Sequence, residues 1–459
     1  MRPSVLLYVL APALFVVACE PQPTAPSRVP GLEASSVSDA SGDITYEANP
    51  PRVAVDPSTV IPDAIPFCKT SSGTLLCYPP SFIRAAYNFP SGLTGAGQTI
   101  VIVDAYGSPT IANDLALFDQ VFKIPAPPSF TVLCPEGCPP FNPRDAHHGV
   151  LSWTIETSLD VEYAHAMAPG ANIVLVVAAT SSGDAINVAE QTAIARYPGS
   201  IMSQSFGSPE YGVHANNVQL LQAHDNYVAA QAAHITVLAS AGDFGATNGI
   251  ATANASFPAS DTLVTAVGGT EGNPYPGGLL GCDVSTSTCS GSFGEQVWNE
   301  PAFGAAGGGA PSLLFGVPSF QNGLGLAARA TPDISYNAAV NGGVLVVWSA
   351  EPPAGFFIVG GTSAGSPQWA AIAALANQLS AAGGHGPLGN LNRGLYALAR
   401  SAAYSTDFHD VTTGNNRLVG TPVGFAAGTG WDDATGWGTP NVAALVPDLV
   451  KCVTTTSCP

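Results

Sequence analysis

Five runs of small and β-branched residues set the limits on what this chain can fold into: TIVIVDA (Thr99–Ala105), NIVLVVAA (172–179), SIMSQSF (200–206), ITVLASA (235–241) and LVTAVG (263–268). Asp104 is the one charge among them, and the runs lack the polar alternation of a strand with one wet face. They therefore predict strands covered on both sides, as in a parallel sheet. Helix-length stretches over 151–167, 184–196 and 217–233 lie between them. Strands alternating with helices predict a doubly wound α/β fold, with a mostly parallel sheet and helices on both faces. Such a sheet offers its chemistry at the carboxyl ends of its strands.

With 459 residues, 46% of them hydrophobic, the chain can bury a large core. Its 13 Lys and Arg against 32 Asp and Glu give a formal charge of −19, which repels phosphate backbones and excludes nucleic acid as a partner. A surface of that sign suits an exported protein that works in acid, where protonation relaxes the self-repulsion. Residues 1–18, with Arg2 ahead of an apolar run, read as an export signal too short to span a membrane. VVAC, ending at Cys19, resembles a lipobox, so the expectation is a cell-envelope lipoprotein anchored at Cys19; an ordinary secretory signal is the alternative. Residues 19–66 are rich in Pro, Ser, Ala and Asp and predict a tether, 67–450 the folded domain, and 451–459 a C-terminal disulfide tail.

Beyond Cys19, eight cysteines fall into four local pairs, 68 with 77, 134 with 138, 282 with 289 and 452 with 458. This predicts short-range disulfides formed in an oxidising compartment.

Three stretches carry chemistry. In ETSLD, Glu156 and Asp160 are four apart, on one face of the predicted helix with Cβ atoms about 5–6 Å from each other. Across 151–170 only His165 offers any positive charge. Most E-x-x-x-D pairs are solvated surface carboxylates; a buried pair instead shares a proton and titrates as a unit. In FFIVGGTSAGSP a strand runs into an Ala-rich helix with Ser363 at its start and Pro367 expected in its first turn, where a missing N–H costs nothing. Ser363 is then either a helix cap or a nucleophile beside free main-chain N–H groups. In LASAGDFGA, Asp243 follows a buried strand in a turn where Asp is common for local reasons alone.

ETSLD with DVEYAHAMAPGA, SAGDFG, FPASDTLVTAVGGT, GGTSAGSP and GTGWDDATGWGTPN, in this order, resemble the sedolisins, serine-carboxyl peptidases with a subtilisin-like fold, over about residues 79–447. The resemblance implies Ser363 as nucleophile, Glu156 as general base and acid, Asp160 as the partner sharing its proton, and Asp243 as an oxyanion donor. A carboxylate base works in acid, where histidine is already protonated, and Asp243 donates only while it holds its proton. Asp410 and Asp432 with intervening glycines offer hard oxygen ligands; the resemblance implies one structural Ca²⁺ held by them and by the main-chain oxygens of Val411, Gly428 and Gly430. Sedolisins carry a long folded propeptide, and the residues between Cys19 and the first motif are too few for one, so the resemblance does not carry zymogen control over to this chain.

Two other functions compete. Asp104, His147 or His148, and Ser363 follow the Asp, His, Ser order of subtilisins, although HHGV lacks the subtilisin histidine motif. A surface lipoprotein using the fold as a non-catalytic binding module is the other. The leading expectation is a monomeric endopeptidase acting on protein or peptide substrates, touching a membrane only through Cys19.

Overall fold

The computed structural model describes residues 42–60, 67–144, 149–272, 282–283, 288–289, 294–455 and 458. The export signal over 1–18, Cys19, and the pair His147 and His148 lie outside the described residues.

The predicted runs form the centre of an eight-stranded sheet, in the order Gln296–Val297, Thr265–Glu271, Thr236–Ser240, Ile201–Gln204, Thr99–Ala105, Asn172–Ala178, Phe130–Leu133, with Ile334–Asn337 also paired to Thr265–Glu271. Every pairing is parallel except that of the edge strand Gln296–Val297. Val101, Val103, Val174 and Val176 face one apolar cluster, while Ile100, Ile102, Ile173 and Leu175 face the other. Both sides of the sheet are thus covered, which is why the runs carry no polar alternation. Chain order reverses at Thr99–Ala105, which has Asn172–Ala178 on one side and Ile201–Gln204 on the other. The crevice at the carboxyl ends beside such a reversal is the ligand position of open α/β sheets.

Two helices pack together over one face of this sheet. Val150–Met167 buries every side chain from Trp153 onward, and it lies against Thr362–Ala382, itself buried through Asn377. A helix buried all round has no wet stripe to reveal its orientation. Gly183–Arg196 and Val218–Ala232 cover the other face, and the Asn217 side chain caps the second of them by accepting from the N–H groups of Gln219 and Leu220.

A second, five-stranded sheet runs Arg52–Ala54, Gly355–Val359, Gly343–Trp348, Gly73–Tyr78, Phe67–Thr70. Its first member corrects the tether expected over 19–66, because residues 42–60 belong to the folded body. Ile44, Tyr46, Ala48 and Pro50 are buried while Thr45, Glu47 and Asn49 are exposed. That is the period of a half-buried strand. DITYEANP carries this alternation in the sequence, where the surrounding Pro and Ser composition conceals it.

Disulfides join Cys68 to Cys77, Cys134 to Cys138 and Cys452 to Cys458. Cys282 and Cys289 face each other in a short antiparallel ladder.

Candidate active site

Glu156 and Asp160 lie on the buried Val150–Met167 helix, both with no exposure to solvent. The exposed-pair reading is therefore excluded by position. Asp104, at the carboxyl end of the central strand, is equally buried and close enough to raise the pKa of both. Three carboxyls thus share one dry space. No hydrogen bond of good geometry reaches an oxygen of any of them among the described residues.

Burial, then the negative fields of Asp160 and Asp104, hold the Glu156 carboxyl well above the usual range, and the nearby Ser363 hydroxyl opposes this weakly. Burial and Asp104 do the same to Asp160, opposed by the Ser205 hydroxyl. Asp104 is pushed up to about 7 by burial, with Thr157 opposing. Unpaired charge in a low-dielectric interior is costly, so such a cluster keeps protons that water would remove.

Ser363 is 6% exposed at the second position of the Thr362–Ala382 helix. The strand Gly355–Val359 reaches it through Gly360 and Gly361, and Gly361 sits at φ 101°, where a side chain is strained. A Cβ there would also lie 2.5 Å from Asp243 Oδ2. Pro367 lies inside the helix rather than in its first turn as expected. Its missing N–H leaves the Ser363 carbonyl without a helical donor, and the Ser205 hydroxyl takes that place, donating at 3.3 Å. In return the Ser363 hydroxyl reaches the Ser205 carbonyl at 3.5 Å.

Asp243 follows the strand Thr236–Ser240. Its Oδ1 accepts from the Thr362 N–H at 2.8 Å and the Thr362 hydroxyl at 2.9 Å, and its carbonyl accepts from Ala306 at 2.9 Å. Burial pushes the carboxyl up to about 6 against those two donors. With Oδ1 accepting twice, Oδ2 is the oxygen left to carry a proton. Asp243, Thr362 and Ser363 line one cleft with Ser205, Phe206 and Gly207.

The structure therefore brings Glu156, Asp160, Asp243 and Ser363 to the carboxyl edge of the sheet, where Glu156 feels the other three side chains. The sequence offers Asp104 only as the aspartate of the competing subtilisin-type order and assigns Ser205 nothing. The signal for Asp104 was its own charge in an otherwise uncharged strand; Ser205 had none.

At the far end of the chain, Asp410 accepts from the Gly430 N–H at 2.9 Å, and Asp432 accepts from Gly428 at 2.8 Å and from Ala434 and Thr435 at 2.9 Å. Both carboxylates thus meet one turn, 428–432. No cluster of three or more His, Cys, Asp or Glu able to hold a metal occurs among the described residues. A cation here would need main-chain oxygens besides the two carboxylates, which suits a hard ion with oxygen ligands. His165, 3.1 Å from Asp119, is a buried paired residue away from this chemistry.

No family model matches the chain. Kumamolisin of Bacillus sp. (strain MN-32) is 32% identical over 402 residues, covering 83% of this chain and 65% of that protein. Tripeptidyl-peptidase 1 of Mus musculus is 33% identical over 320 residues, covering 65% of this chain and 52% of that protein. The chain thus spans between half and two thirds of the length of these relatives. Among solved structures, the Pseudomonas serine-carboxyl proteinase complexed with two molecules of pseudo-iodotyrostatin superposes with TM-score 0.66 at 26% identity, over 82% of this chain and 98% of that one.

Proposed function

We propose that this chain, a homologue of the sedolisin family with its subtilisin-like α/β fold, is a serine-carboxyl endopeptidase that hydrolyses protein or peptide substrates in acid. The observation that carries the reading is the cluster of three buried carboxyls beside Ser363, none of which accepts a hydrogen bond of good geometry among the described residues. Ser363 Oγ attacks the scissile carbonyl and gives its proton to the ionised Glu156 carboxylate, which Asp160 positions through a shared proton, and the negative charge passes to the carbonyl oxygen. Asp243, protonated below about 6, donates through Oδ2 to the oxygen that becomes negative. Glu156 then protonates the leaving amine, and water resolves the acyl-enzyme by the reverse path. Cleavage of a denatured protein between pH 3 and 8, beside Ser363→Ala, tests this: acid-limited hydrolysis that the substitution abolishes supports it, and a neutral or alkaline optimum overturns it.

We further propose that one Ca²⁺ is held by Asp410, Asp432 and the main-chain oxygens of Val411, Gly428 and Gly430, fixing the turn over 428–432. The apolar run before Cys19 supports export, with lipidation at that cysteine as the finer reading and labelling of the intact chain by a radioactive fatty acid as its test.

A further inference from the structure

A cavity of about 480 Å³, separate from the cleft of Ser363, opens at the other end of the main sheet. Its walls include His234 and Leu263, which stand just before the strands Thr236–Ser240 and Thr265–Glu271, whereas Asp243 follows the first of these strands. A strand of five residues at about 3.3 Å each sets the cavity roughly 17 Å from the cleft. Its size is that of a ligand pocket, for which about 300–1,000 Å³ is usual.

The charge of this cavity reverses that of the chain. Against 32 Asp and Glu the sequence has 13 Lys and Arg, yet Arg393 and His234 line the cavity and, among the described residues, no acid does. The adjacent Asp261 is occupied, accepting from the Leu263 N–H at 2.8 Å and pairing with His224 at 2.7 Å. Arg52, Arg84, Arg329, Arg400 and Arg417 each donate to an oxygen of the chain, whereas the Arg393 guanidinium and the His234 ring have no partner among the described residues. His234 closes the helix Val218–Ala232 at φ 55°: its N–H donates to the Gln231 carbonyl and the Ile235 N–H to that of Ala230, a double closure in which glycine is the usual residue. A histidine there accepts strain that glycine would avoid, and it places an imidazole on the cavity wall.

Leu263, Val317 and Phe320 supply apolar surface, and the Phe320 ring is held by Tyr396 at 4.9 Å and by the buried Arg329 guanidinium at 5.5 Å. Gln231, Thr262 and Ser319 bring an amide and two hydroxyls. The frame is braced by Asn390, whose amide donates to the Leu263 carbonyl at 2.7 Å, and by the Thr236 hydroxyl, which donates to the Gly389 carbonyl at 2.6 Å. We propose that this cavity binds the free carboxyl end of a peptide, its terminal carboxylate on Arg393 and His234 and an apolar last side chain against Leu263, Val317 and Phe320. The planar guanidinium fork matches a carboxylate. An inorganic anion would leave the apolar surface and most of the volume unused, and a fatty or aromatic acid would leave Gln231, Thr262 and Ser319 without the amide partners that a peptide supplies. Binding here does not depend on the peptidase reading. That reading supplies the ligand, because each acyl-enzyme resolved by water releases a peptide with a new carboxyl end.

The test uses the full chain with Ser363→Ala, so that no probe is turned over. Fluorescence anisotropy follows dansyl-Gly-Leu-Phe with a free carboxylate and the same peptide as its amide. The acid is expected to bind about tenfold more tightly than the amide, and Arg393→Ala to remove that preference. His234→Gly is expected to weaken the acid several-fold while Tm does not fall, because glycine relieves the left-handed position; both side chains are exposed, so neither variant threatens the fold. Equal binding of acid and amide overturns the site, and so does an acid preference that survives Arg393→Ala, which would place the probe elsewhere. Phenylbutyrate or inorganic phosphate displacing the probe at the peptide's own concentration overturns the peptide as ligand. With Ser363 intact, Arg393→Ala keeps kcat on a short internally quenched peptide; a parent chain that cleaves nothing counts against the peptidase reading alone and leaves the binding result standing.

Discussion

Ser205 and Ser363 hold each other's main chain, the Ser205 hydroxyl donating to the Ser363 carbonyl and the Ser363 hydroxyl reaching the Ser205 carbonyl. The nucleophile's hydroxyl is thereby aimed at rest, and its helix turn is completed where Pro367 cannot complete it. Ser205→Ala removes the first of these bonds, leaving a buried carbonyl unsatisfied. The expected result is a loss of about 1 kcal/mol in stability and a fall of about tenfold in kcat with KM little moved; unchanged kcat shows that the pairing does not position the nucleophile.

Asp243→Asn separates donation from ionisation. An amide keeps a donor at the Oδ2 position but does not titrate, so the loss of rate expected as wild type rises through about 6 should flatten. The acid plateau should fall by about tenfold or less, since a donor remains. A pH profile identical to wild type removes Asp243 from the oxyanion site.

Glu156→Gln and Asp160→Asn are expected to lower kcat by about a thousandfold. Their effect on stability has the opposite sign. Both carboxyls are raised by burial and by each other, so ionising them in the folded state is costly, and the neutral amides should raise Tm near pH 8 while leaving it nearly unchanged near pH 4. A lowered Tm at both pH values shows that the pair stabilises the fold.

The whole chain should be more stable in acid. Glu190 is raised from 4.5 to about 7 by burial, Asp104 from 3.8 to about 7 and Asp243 from 3.8 to about 6. Each group binds its proton more tightly folded than unfolded. Its stabilising contribution is complete below the unfolded value and lost as pH rises through the folded one, at about 1.4 kcal/mol per unit of difference. Tm measured from pH 4 to 8 should fall steadily; a maximum near neutrality contradicts the sign.

Chelation should lower Tm, and Asp432→Asn should remove that response. A melting curve unaffected by verified metal removal rules out the proposed ion.

What the sequence discloses is what local chemistry controls. The apolar run Thr99–Val103 announces a strand buried on both faces, and the strand, Gly-Gly, serine succession at Val359 to Ser363 announces a turn between buried elements. Asp104 escaped because its neighbours Glu156 and Asp160 lie more than fifty residues away and meet it only when the strand docks on the helix. Tyr46 escaped for the opposite reason. Its own segment shows the correct period, but the aromatic pocket that gives the period a meaning comes from Phe206 and Phe257, which lie far along the chain.

The three described disulfides close intervals of 9, 4 and 6 residues, whereas the central strand Thr99–Ala105 must find Asn172–Ala178 across two helices and a strand. No described bridge shortens that search. Loop closure of this kind dominates the time a parallel sheet needs to form, so the rate at which this protein reaches its native state is governed by chain diffusion and sheet pairing, and an oxidising or a reducing milieu should alter that rate far less than it alters the local rigidity of the bridged loops.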